Sequence, residues 1–125
     1  MNTETSNRQQ LITAWTHERH ASTAAIRRQD RSSAWAHLER AHILSQPMAG
    51  RHVRTHLAML RLAARTLRPH EVAGQLFRTL VAAPGTWSGR YPIGNTGGAN
   101  VGAFTAMAVP ADLQRLLEPN SEGEL

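Results

Sequence analysis

The sequence predicts an all-α protein: a four-helix antiparallel bundle closed by a Gly/Pro-rich C-terminal wrap and a short terminal helix. Three observations carry this expectation. Apolar residues recur at three- and four-residue spacing from about Arg8 to Ala82. The breaks between periodic stretches are short and hold Pro47, Gly50 and Pro69, so consecutive helices should pack antiparallel. After Ala83 the composition changes: residues 84–109 hold six of the nine glycines and no acidic residue, and no helical or strand period survives.

The first helix is expected from Arg8 to Arg28, with Leu11, Ile12, Trp15, Ser22, Ala25 and Ile26 inward, behind a frayed tail of residues 1–7. Gln29-Asp30-Arg31-Ser32 interrupts it, and Ser32 or Ser33 is the expected N-cap of a second helix reaching Ser45. Ala34, Trp35, Leu38, Ala41, His42 and Ser45 form its inner stripe. The run Ala34-x3-Leu38-x2-Ala41 has the small–large–small spacing of a tetratricopeptide hairpin, but no 34-residue self-similarity follows, so the match is one of helix-hairpin packing. A third helix, Arg51 to Leu67, places Val53, His56, Leu57, Leu60, Ala63, Ala64 and Leu67 inward. Pro69 suits the first turn of a fourth helix reaching Ala82, with Val72, Leu76, Phe77 and Leu80 as its apolar set. The wrap (84–109) carries Trp87, Tyr91, Ile93, Val101, Phe104 and Met107, apolar anchors that a linker does not need. Pro110-Ala111-Asp112-Leu113 opens a helix to Leu117, and residues 118–125 are a loose acidic end. One domain, 8–117, results.

Composition narrows the function classes. The 125 residues contain no cysteine, which removes disulfide scaffolds, thiol nucleophiles, iron–sulfur clusters and thiolate zinc sites. No apolar run approaches the roughly 20 residues that cross a bilayer, and the polar start MNTETSNRQQ is no secretory signal, so a cytoplasmic protein is expected. The formal charge is +5, and all 14 basic residues are arginine, spread along the chain. Only Arg27, Arg28 and Arg31 group tightly, which makes a salt-bridged helix surface the stronger reading and nucleic-acid binding the weaker.

Seven histidines are the more unusual feature. His52 and His56 are four apart, about 40° around a helix, and point the same way. Glu39 and His42 have the Glu-x-x-His spacing that places a carboxylate and an imidazole on one helix face. Reflection across the turn near Met48 sets His42 level with the gap between His52 and His56. The four residues are therefore candidate ligands of one divalent transition metal (zinc, copper, nickel or iron). His37 is a candidate supporting group, although it lies about 140° round from His42. His17 and His20 share a polar face and read as surface, and His70 follows Pro69 at a helix start. Gly94-Asn95-Thr96-Gly97-Gly98-Ala99-Asn100 lacks both P-loop and dinucleotide spacing. Asn95, Thr96 and Asn100 are expected to hold a structural wrap, which could also serve as a lid over the histidines or an anion-binding loop.

The segments HLERAHILSQP (37–47), HVRTHLAML (52–60) and GRYPIGNTGGANVGAFTAMAVPADL (89–113) resemble, in order and spacing, a family of small bacterial proteins catalogued as a domain of unknown function. The resemblance covers most of residues 20–117 and implies a small, mainly helical protein; it implies no activity or cofactor. The expected function is metal handling or sensing through the His/Glu cluster, with no reaction required of it. The alternative is a non-catalytic module that binds a protein partner or a second copy of itself, and the third reading is a basic nucleic-acid binder.

Overall fold

The computed structural model describes residues 3–65, 69–87 (side chains through Arg78) and 107–118. These form five helices: α1 (Thr3–Arg27), α2 (Arg31–Ser45), α3 (Ala49–Arg65), α4 (Pro69–Trp87) and α5 (Ala111–Leu117), with no strand among the described residues. None is long and apolar enough to cross a membrane.

Consecutive helices pack: α1 on α2, α2 on α3, α3 on α4, with α5 closing against α1 and α2. Among the described residues α1 and α4 make no close backbone approach, so each of the first four helices packs on its neighbours in sequence. This layout makes α2 the central element. From Ala41 to Gln46 every residue is buried, because α1, α3 and α5 cover different sides of it. One core cluster joins Leu11, Trp15, Ala41, Ile43, Leu44, Met48 and Leu113; a second joins Ala25, Ala34, Leu38, Met59 and Leu62.

The α1–α2 corner is built by backbone hydrogen bonds. Asp30 N–H donates to Ala25 C=O at 2.9 Å and Gln29 N–H to Ile26 C=O at 3.0 Å, the paired closure of a Schellman C-terminus. Gln29 takes the left-handed conformation this closure demands, with φ 60°. Asp30, not Ser32 or Ser33, caps α2: its carboxylate accepts from Ser33 N–H at 3.1 Å and from Ser33 Oγ–H at 2.7 Å. A carboxylate beats a hydroxyl here because it accepts both bonds and also pairs with Arg28 at 3.6 Å.

Two helices outrun their expected ends. α1 begins at Thr3, ahead of Arg8, and α4 continues through Pro84-Gly85 to Trp87. Pro84 lies in the final turn of α4, where its missing N–H is one bond lost near a helix end and not a break in its middle. Residues 88–106, the bulk of the expected wrap, lie outside the described residues.

Candidate metal centre

α3 aims its histidines by a stripe different from the expected one. Its buried residues are His52, Thr55, His56, Met59, Leu62 and Ala63, a clean three–four repeat, while Leu57 is exposed and Val53 and Leu60 are half-buried. Turning the helix this way puts His52 and His56 inside together and moves an apolar leucine out. Thr55, between them, accepts a hydrogen bond from Trp15 Nε1–H at 2.9 Å and donates to Arg51 C=O at 2.8 Å, which anchors the helix face against α1.

The three imidazoles converge on one point. Nε2 of His42 lies 2.9 Å from Nε2 of His52 and 3.0 Å from Nε2 of His56, and the third edge, His52 to His56, is 3.2 Å. All three residues are buried, at 3%, 6% and 2% exposure. Three neutral imidazoles cannot satisfy one another in this triangle. Each Nε2 carries either a proton or a lone pair, so at least one edge sets two protons or two lone pairs face to face. A central cation removes that conflict, because all three lone pairs then point inward. A first-row ion at 2.0–2.1 Å spaces nitrogen ligands by about 2.9 Å at right angles and about 3.4 Å at tetrahedral angles. The observed edges fall within that span.

Electrostatics favour the same protonation state. Burial, with the neighbouring His56, pushes His52 down to about 3. Burial pushes His56 down to about 4, with the Gln75 hydrogen bond acting the other way and Arg78 adding to the fall. Both rings are therefore neutral at physiological pH, the form a metal needs.

α4 contributes a supporting residue that sequence reasoning missed. Gln75, fully buried, places Oε1 2.7 Å from His56 Nδ1 and donates its amide N–H to Glu71 Oε1 at 3.0 Å. Because Glu71 takes the amide nitrogen, the carbonyl must face His56, so Nδ1 carries the proton and Nε2 the lone pair. The expected apolar set of α4 is correspondingly turned: Leu76 and Phe77 are about half exposed, at 51% and 48%, while Gln75 and Arg78 are buried. The available signal was the polar stripe Glu71, Gln75, Arg78 at three–four spacing in an otherwise apolar helix.

Among the described residues, the group whose possible ligand atoms all lie within 4.8 Å of one another is His42, His52 and His56. Glu39 stands outside it, half-buried, with its carboxyl pushed up by burial and then by the charge of Glu71. His37 belongs elsewhere. Its Nδ1 lies 2.6 Å from buried Glu18, which also accepts from Arg40 Nε–H at 2.8 Å; Arg40 in turn pairs with Asp112. That chain ties α1, α2 and α5 together on the face away from α3, as the 140° offset required. His17, His20 and His70 are exposed. Asn95, Thr96 and Asn100 lie outside the described residues.

No curated protein and no solved structure matches the chain. A family model does, over residues 9–117, and so spans all three histidines and the helices that carry them. The chain belongs to the family described as Protein of unknown function (DUF3703).

Proposed function

We propose that the protein binds one divalent transition-metal ion through Nε2 of His42, His52 and His56, and that it serves in metal handling or sensing. The observation that carries this reading is the buried triangle of nitrogens, whose edges of 2.9–3.2 Å suit a shared cation and not three mutual hydrogen bonds. Gln75 and Glu71 support it by holding His56 in the ligating tautomer. An all-imidazole set suits zinc, copper, nickel or iron. Three protein ligands leave a tetrahedral ion one position short, and Glu39, which stands outside the triangle, is the residue we assign beside that position, as acceptor for a water held there. A site that keeps one exchangeable position can pass its ion on, which fits handling or sensing better than a closed structural site.

Elemental analysis of the full chain purified without a histidine tag tests the reading. Near-stoichiometric metal is expected, and its loss in the His52→Ala/His56→Ala double variant. Purified protein that carries no metal and takes up neither zinc, copper, nickel nor iron at micromolar concentration would overturn it.

A further inference from the structure

A second feature lies across α1 and α3. There α1 and α3 flank a groove of about 420 Å³, floored by Ile26, Leu38, Ala58 and Leu62. Its walls carry four arginines, Arg19 and Arg27 from α1 and Arg61 and Arg65 from α3, and none of its lining residues is acidic. The arginines elsewhere that face acids are paired: Arg40 with Glu18 and Asp112, Arg28 with Asp30. Among the described residues no ion pair reaches the four in the groove.

Gathering this much like charge has a cost that is visible at Arg19. It is half-buried beside the Trp15 ring, 5.4 Å from the ring centre, and its guanidinium is held below the ordinary arginine value by burial and then by Arg61 and Arg54. Guanidinium forks that converge from two walls are the donor set that takes phosphoryl oxygens two at a time. Arg19 and Arg27 are two turns apart, about 12 Å, and Arg61 and Arg65 one turn, about 6 Å, so a single small oxyanion spans too little of the groove. The volume lies in the range of small-molecule sites, and the lining runs over about two turns of α1 and two of α3.

We propose that the α1/α3 groove is a binding site for a small ligand bearing two or more linked phosphoryl groups, gripped by Arg19, Arg27, Arg61 and Arg65. The site is separate from the histidine cluster and stands whether or not a metal binds there. The apolar floor leaves two sources of that chemistry, a free oligophosphate or a nucleotide whose base lies on Ile26 and Leu62.

Calorimetric titration of the metal-stripped full chain in EDTA at low ionic strength, with inorganic tripolyphosphate and then with ATP, tests it. One-to-one binding of tripolyphosphate is expected, weakened roughly a hundredfold in the Arg61→Gln/Arg65→Gln variant through loss of two charge-assisted contacts. Arg8→Gln, on the exposed start of α1, is expected to leave the affinity unchanged, and circular dichroism checks that both variants stay folded. Equal affinity for ATP identifies the free oligophosphate and tighter binding of ATP the nucleotide. Failure of both probes to bind at millimolar concentration overturns the proposal, as does equal weakening by Arg8→Gln. So does a DNA duplex that binds tighter than either probe and loses that affinity in Arg61→Gln/Arg65→Gln.

Discussion

Gln75 and His56 face each other at 2.7 Å, carbonyl oxygen to Nδ1, and the other end of the Gln75 amide is fixed by Glu71. This relay decides which imidazole nitrogen of His56 carries its proton, and it acts from a helix that carries none of the three histidines of the triangle. Removing it leaves the three histidines in place but frees His56 to take the wrong tautomer or rotate. Gln75→Leu is therefore expected to weaken metal affinity by about 10- to 100-fold, the usual effect of losing a partner behind a ligand. Competition with a chromophoric chelator measures this. Unchanged affinity in a folded Gln75→Leu protein would show that the orientation of His56 is set by something else.

The metal-free protein is expected to be acid-sensitive in a defined window. His52 and His56 sit at about 3 and about 4 in the fold and near 6.5 in the unfolded chain. Between those values the unfolded chain binds protons that the folded chain refuses, so stability rises with pH and is lost as the pH falls below 6.5. Each histidine contributes about 1.4 kcal/mol per pH unit there, so unfolding at pH 5.5 should need about 2–3 kcal/mol less than at pH 7. Urea titrations in EDTA at the two pH values read the difference. A flat profile would mean that the imidazoles are solvated.

How much of this was readable from the chain depends on how each helix is covered. The helical class, the order of elements and the meeting of His42 with His52 and His56 followed from spacing, because a tight turn near Met48 makes reflection across it a sound geometric rule. The inner faces of α3 and α4 did not follow. Leu57, Leu76 and Phe77 looked like core and are exposed, whereas Thr55, Gln75 and Arg78 are buried. A polar site at the heart of the packing inverts the usual apolar pattern, since Thr55 and Gln75 are retained for the hydrogen bonds they make with Trp15 and His56. α2 is the converse case: covered on several sides, it has no single apolar stripe to find. Glu18 was missed for a similar reason, because its burial depends on His37 and Arg40 arriving from another helix.

The α1–α2 corner offers a stability test independent of the metal. Gln29 occupies the left-handed position where a Schellman closure prefers glycine, at φ 60°. Its side chain is exposed, so nothing is lost by deleting it. Gln29→Gly removes the steric cost of that conformation, about 1–2 kcal/mol, against a smaller entropic gain of the unfolded chain, for a net stabilisation of about 0.5–1 kcal/mol. A urea midpoint that falls in this variant would contradict the corner geometry. Metal content should not change.

A sharper test separates the histidine triangle as a ligand set from the same triangle as a structural core. Without metal, three Nε2 atoms at 2.9–3.2 Å hold one contact that no proton arrangement can satisfy. Replacing one member by an apolar residue leaves a pair, and a pair is soluble: His42 Nε2–H donates to His56 Nε2, whose lone pair Gln75 has already fixed. His52→Leu, a buried position on a helix that tolerates leucine, is then expected to keep the metal-free stability within about 1 kcal/mol of the native chain or to raise it. The same substitution should abolish the stabilisation by added zinc, which in the native chain amounts to about 2.7 kcal/mol at a hundredfold excess over the dissociation constant. Urea unfolding of both proteins in EDTA and in zinc gives all four numbers. If His52→Leu instead destabilises the metal-free chain by several kcal/mol and zinc has no effect on either protein, the three imidazoles are there for packing, and the triangle is not a ligand set.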